Sequence, residues 1–227
     1  PKPSSAASDV YKRQVTYTGN GANRTISHGL GAVPHFMIIK ARTTAGTDQG
    51  WAAYHRNLTS AGYYIALNLS QQQVLDATVW NSTAPTSSVF SVGTSALTNT
   101  NNDTYVAYLW TEVPGFSRFG TYTGNGSADG PFVWCGFRPK YLLLKPINTI
   151  SDGWRLSDAA RNISNDVNEN ILPESSGSSV TSSVNYGHDY LSNGFKLRTS
   201  GQGHNYSGAT FIFAAFSEAP FKYSRGR

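Results

Sequence analysis

An internal repeat constrains this chain more than any other feature. Thr16-Tyr-Thr-Gly-Asn-Gly21 returns as Thr121-Tyr-Thr-Gly-Asn-Gly126. Four further stretches follow in the same order. Pro34–Lys40 (PHFMIIK) matches Pro139–Lys145 (PKYLLLK), and Gly50-Trp51 matches Gly153-Trp154. Arg56–Thr59 (RNLT) matches Arg161–Ser164 (RNIS), and Thr104–Pro114 matches Thr210–Pro220. The offset drifts only between 103 and 106 residues, so five matches by chance are excluded. Solenoid units run about 20–50 residues, well below this period. Each copy is long enough to be a small domain, and two tandem copies are expected, 15–115 and 116–227.

Both copies read as β. Pro34–Arg42 enters from a Gly-rich loop and is a strand, as is Gly62–Leu69. Thr104–Glu112 and its match Thr210–Glu218 are rich in β-branched and aromatic residues and apolar on both faces, as a central strand covered on both sides requires. Asn193-Gly194 is a turn signal leading into a strand with Phe195 and Leu197 on one face. Thr-Gly-Asn-Gly reads as a tight turn, since Asn and Gly tolerate positive φ. The best place for a short helix is around Asp158–Arg161. Short strands punctuated by Gly, Asn and Ser predict an all-β chain made of two β-sandwich or jelly-roll-like domains.

The first fourteen residues stand outside the repeat. Ser4–Gln14 (SSAASDVYKRQ) resembles the translation of a transposon-end adapter used in short-read sequencing, with Pro1–Pro3 as junction. Residues 1–14 are therefore expected to be a disordered artefact of a metagenomic fragment and are set aside before fold reasoning. The natural protein is expected to be longer at this end. Setting that segment aside removes Lys2, Lys12, Arg13 and Asp9, which lowers the formal charge from +5 to +3. Lys222, Arg225 and Arg227 form a weak basic tail rather than the clustered stripe of a nucleic-acid binder.

Charged residues make up 14% of the chain and aromatics 13%. Ser, Thr, Asn and Gly carry the surface polarity, a balance that suits an extracellular or virion β-protein. Cys135 is the single cysteine, so this chain contains no disulfide of its own and no cysteine metal cluster. No apolar run approaches membrane-spanning length.

TYTGNGSADGPFVWCGFRPKYLLLK (Thr121–Lys145), DYLSNGFKLR (Asp189–Arg198) and EAPFKYSRGR (Glu218–Arg227) resemble a domain of uncharacterised function. That domain recurs, often in tandem, toward the C-terminal ends of tail-associated proteins of tailed bacteriophages. Tyr105–Gly126 resembles its inter-copy junction. The resemblance covers nearly all of Val15–Arg227. It implies a virion context, in a phage tail or tail fibre that is extracellular once assembled, and an ending at Arg227 like the family's own C-terminus. It implies no catalytic residues. The partners it suggests are other virion tail proteins and a host-surface glycan, with homo-oligomerisation open and neither nucleic acid nor membrane involved.

Candidate chemistry is sparse. A glycosidase needs two carboxylates flanking a cleft. Glu112 and Glu218 are repeat-equivalent single carboxylates at strand ends, better suited to ion pairs. Asp48 and Asp152 precede Gly-Trp and suit turns. No Gly-x-Ser-x-Gly elbow is present, and the five histidines lack ligand spacing. Asn99–Asp103 reads as a polar loop with one carboxylate, poor for calcium. Cys135 reads as a buried small residue.

No enzyme and no cofactor are expected. The aromatic residues are the functional lead. Trp51, Tyr54 and Trp154 are the candidate ligand-binding residues, because exposed rings stack on the apolar faces of sugars. The expected function is a non-enzymatic structural and adhesion module. The alternative is a carbohydrate-binding module once attached to an upstream hydrolase or depolymerase. Full burial of Trp51 or Trp154 would argue against that alternative.

Overall fold

The computed structural model describes residues 11–43, 50–149 and 152–218. The described residues up to Leu67, together with Gln73–Glu112, form one compact unit; Asn68–Gln72 and those from Val113 onward form the other. The first unit contains β1 (Lys12–Thr18), β2 (Arg24–Ser27), β3 (Phe36–Ala41), β4 (Trp51–His55), β5 (Tyr63–Ala66), β6 (Val74–Leu75), β7 (Val89–Val92) and β8 (Thr104–Trp110). It also holds two one-turn helices, α1 (Ala77–Trp80) and α2 (Ala96–Asn99). The second unit contains β9 (Ser117–Thr123), β10 (Phe132–Trp134), β11 (Tyr141–Pro146), β12 (Arg155–Asp158), β13 (Glu169–Asn170), β14 (Val180–Thr181), β15 (His188–Leu191), β16 (Gly194–Leu197) and β17 (Thr210–Phe216). Its short helices are α3 (Ser183–Tyr186) and α4 (Gln202–Asn205).

The chain is all-β, and no sheet among the described residues closes into a barrel. In the first unit the large sheet runs β1-β8-β3-β4-β5-β6 and faces the β2-β7 pair. In the second, β9-β17-β11-β12 repeats the order of the first four strands, and the small sheet is β10-β16-β15. All pairings are antiparallel, with Tyr17 opposite Tyr105 in one unit and Tyr122 opposite Phe211 in the other. Each unit is thus a sandwich with its core between a large and a small sheet. Ile26, Phe90 and Val92 of the small sheet meet Met37, Ile39, Tyr105 and Leu109. Val133, Phe195 and Leu197 meet Leu142, Leu144, Phe211 and Phe213. Each such aromatic or aliphatic side chain, fully buried, contributes about 1.5–3 kcal/mol.

The central strands lie where their composition places them. β8 sits between β1 and β3, and β17 between β9 and β11, with Phe211 through Ala215 all buried. Asn193 closes the two-residue turn of the β15–β16 hairpin, and Phe195 and Leu197 face the core.

Two local expectations are corrected. The Asp158–Arg161 stretch is a turn, not a helix: Asp158 Oδ1 accepts from the amides of Ala160 and Arg161, both at 2.9 Å, and so ends β12. Lys12–Gln14 are not disordered. They extend β1 along β8, opposite Trp110, Leu109 and Tyr108. A sheet edge supplies backbone partners whatever the side chains are, and Lys12 and Gln14 lie on the exposed side. Thr-Gly-Asn-Gly is a turn, with Gly21 and Gly126 at φ of 68° and 66°, and it leads from one sheet into another. Residues 1–10, Asp48 and the basic tail lie outside the described residues.

The repeated hexapeptide also has a specific packing role. Tyr17 and Tyr122 stack on Tyr105 and Phe211, with ring centroids 5.2 and 4.9 Å apart. Their hydroxyls donate to the carbonyls of Thr98 and His204, each at 2.7 Å. Gly19 and Gly124 lie so close to the carbonyls of Thr100 and Tyr206 that a Cβ would come within 2.0 and 2.2 Å. The Asn that follows then meets a wholly buried Asn from the last turn of α2 or α4. Asn99 Nδ2 donates to Asn20 Oδ1, Ala22 O and Gly93 O, and Asn205 Nδ2 donates to Asn125 Oδ1, Ser127 O and Thr199 O. The amides of Asn20 and Asn125 complete each clamp by donating to Oδ1 of Asn99 and Asn205.

Candidate functional site

The candidate aromatics do not form one site. Tyr54 is 7% exposed, points into the first core and packs edge-on against Trp80. Trp154 is 1% exposed. Neither ring offers a stacking face, because both are buried. Trp51 is partly exposed, with the Lys40 ammonium 5.5 Å from its ring. Glu112 and Glu218 pair within their own units, with Arg56 at 3.6 Å and Lys140 at 3.3 Å.

Around β12 the second unit buries polar side chains at positions where β4 of the first carries Ala52 and Tyr54. Aligned on Gly-Trp, Ala52 and Tyr54 of β4 correspond to Arg155 and Ser157 of β12. Arg155 Nη2 donates to Asp152 Oδ1 at 2.9 Å, and Nη1 lies 3.5 Å from Glu174 Oε1. Glu174 packs where a side chain at Gly153 would stand and accepts from the Trp154 amide at 3.2 Å. Lys145 is wholly buried and donates to the carbonyls of Ser70 and Asp152, at 2.8 and 2.5 Å. Burial lowers its pKa to about 8 against the pull of Glu174 and Asp152, so it stays protonated at neutral pH.

Deeper in, Ser157 bridges His188 Nε2 at 3.1 Å and the Tyr190 hydroxyl at 2.9 Å. His188 Nδ1 lies 3.1 Å from the Tyr186 carbonyl and donates to it, which leaves Nε2 to accept. Burial pushes the His188 pKa down to about 4. His204, 5.2 Å from His188 ring to ring, is held well below its ordinary value by burial, then by His188 and Arg155. Neither of its nitrogens makes a hydrogen bond of ordinary geometry among the described residues, although the Tyr186 backbone still raises its pKa slightly. Ser157 and His188 resemble a nucleophile–base pair, but both are buried to 1% or less and no substrate atom can reach them. No group of three or more His, Cys, Asp or Glu side chains among the described residues could hold a metal ion.

The exposed chemistry lies on β10. Phe132 and Trp134 are 44% and 54% exposed and share the outward face of this edge strand, while Val133 between them enters the core. Arg118 lies over the Trp134 ring at 5.1 Å, and Lys196, opposite Phe132, pairs with Asp129 at 2.8 Å. The pairings Ile26–Phe90 and Val133–Phe195 match β2 to β10. The positions of Phe132 and Trp134 are then held in the first unit by Thr25 and Ser27. Sequence reasoning could register Trp134 as unmatched but could not give its exposure, since a three-residue strand shows too little alternation.

Fold and surface together define a two-unit β-sandwich protein with one differentiated face. A family model described as a domain of unknown function, DUF7483, matches residues 5–220, and the chain belongs to that family. The match spans both units, so the family domain includes the pair. No curated protein and no solved structure matches the chain.

Proposed function

We propose that the chain is a non-enzymatic structural and binding module of a phage tail or tail fibre, and that its second unit contacts a host-surface glycan through Phe132 and Trp134. The observation that carries this reading is the exposed aromatic pair on β10, at positions where the first unit has Thr and Ser. Two adjacent large aromatics that leave about half of their surface to water on an edge strand cost solubility, and a ligand is a physical reason to keep them. Sugar rings present C–H faces that stack on such rings, and Arg118 and Lys196 supply hydrogen bonds at the margin. The motif resemblance to phage tail proteins and the neutral polar composition support the virion context.

The test is binding of the purified chain to a panel of bacterial surface polysaccharides. The expected result is saturable binding to at least one, weakened about tenfold or more by Trp134→Ser with Phe132→Thr. Binding that survives both substitutions, or none to any polysaccharide, overturns the glycan contact. Antibody against the chain is expected to decorate tails of particles enriched from the source; decoration confined to soluble protein overturns the virion assignment. The burial of Trp154 argues against the alternative, a carbohydrate-binding module of a hydrolase, which would have to use the β10 face instead. Long reads across the Gln14–Val15 junction that recover an upstream hydrolase in frame would favour it.

A further inference from the structure

The polar interior of the second unit reaches solvent beside Asp152, the partner of Arg155. A pocket of about 320 Å³ is lined by Thr149, Asp152, Gln202 and Tyr206. It shares no residue with the Phe132–Trp134 face, so the two readings stand or fall separately. We propose that this pocket binds a single neutral sugar residue.

Size sets the first limit. Ligand pockets run from about 300 to 1,000 Å³, and this one is at the small end, enough for one ring rather than a chain of them. Charge sets the second. Lys145 and Arg155 stand behind the pocket with Asp152 and Glu174, two cations against two carboxylates. The cluster is balanced internally by the Arg155–Asp152 and Arg155–Glu174 contacts and the Lys145 bond to the Asp152 carbonyl. No uncompensated positive charge is left for a carboxylate or phosphate ligand, and the Asp152 carboxylate in the wall repels one.

The lining supplies what a polyol needs. Asp152 is fixed by Arg155 through Oδ1, while Oδ2 accepts no hydrogen bond among the described residues and is available to ligand hydroxyls. Thr149 completes the wall, with its hydroxyl oxygen buried from solvent. Gln202 is exposed and offers both a donor and an acceptor. Tyr206 is 45% exposed at the same wall, a ring on which a sugar face can lie.

The first unit shows that these side chains are not required by the fold. α2 and α4 end on the equivalent clamp residues Asn99 and Asn205, which sets Ala96 against Gln202 and Thr100 against Tyr206. The same turn is therefore built without an amide or a ring, and those two residues are the natural substitutions for the test.

Titration of the intact chain by saturation-transfer NMR would use glucose, galactose, mannose and N-acetylglucosamine, with glucuronate and inorganic phosphate as charged probes. At least one neutral sugar is expected to bind, with affinity falling about tenfold or more in Gln202→Ala and in Tyr206→Thr. Trp134→Ser should leave it unchanged, and unfolding curves of the two pocket variants should overlay the parent's. Absence of binding by every neutral sugar overturns the proposal, as does tighter binding of glucuronate or phosphate. Binding that Trp134→Ser abolishes and the pocket variants do not would assign the sugar to the β10 face instead.

Discussion

The two units share a frame and differ in what fills and faces it. Both fix the TYTGNG loop with a tyrosine hydroxyl, a close glycine and a buried asparagine. The strand order around β8 is the order around β17. Yet where the first core has Ala52 and Trp80, the second has Arg155 and, at the end of the matching short helix, Tyr186, with the guanidinium 5.2 Å from the ring. A repeated scaffold can be held by a few backbone-directed bonds while its interior and one surface diverge. Function is expected in the divergent part.

The matched tryptophans give the largest test of that contrast. Trp154→Ala should destabilise the second unit by about 3–5 kcal/mol, as expected for a fully buried ring. Trp51→Ala, at a partly exposed position, should cost the first unit about 1 kcal/mol. Amide exchange of β17 and β8 reads the two separately. Equal losses would break the distinction between the sites.

Removing the clamps should erase the contrast. Asn99→Ala and Asn205→Ala each abolish four hydrogen bonds and leave buried carbonyls unpaired, so about 3 kcal/mol is expected from either, each in its own unit. An Asn99→Ala loss much below that of Asn205→Ala would mean the loop is held by other contacts in the first unit.

Acidification should separate the units again. His188 and His204 are neutral when folded, with pKa values below the ordinary 6.5. The unfolded chain therefore takes up protons first as pH falls. The second unit should keep its full stability above about pH 6.5 and lose it progressively down to about pH 4, by about 3 kcal/mol from His188 alone. His28 shifts the same way, so the first unit should respond in the same direction but less. Denaturant melts of the two units at pH 7.5 and 4.5 measure this. His204→Thr, which borrows the first unit's Thr98, should flatten the second unit's response.

The smallest stability effect per ring is expected at the surface. Trp134→Ser with Phe132→Thr should change unfolding free energy by only about 1–2 kcal/mol, because each ring keeps about half of its surface in solvent. A larger loss in a melt would make the pair part of the fold rather than a contact surface.

The sequence by itself determined the all-β class, the repeat, and the central strands, because each is written in local composition or in a pattern read twice. It also indicated the ion-pair role of Glu112 and Glu218. Only the tertiary structure decided which aromatics are available. Gly50-Trp51 and Gly153-Trp154 are the same dipeptide, and their burial differs because burial depends on what packs over a strand, not on the strand's own residues. Asn99 reads as loop polarity in the sequence yet is buried, since a buried amide and an exposed one are spelled alike. His188 and His204 become neighbours only when β15 and α4 fold together. Phe132 and Trp134 face water because Val133 is the residue taken by the core, a choice set by pairing with Phe195 across the sheet.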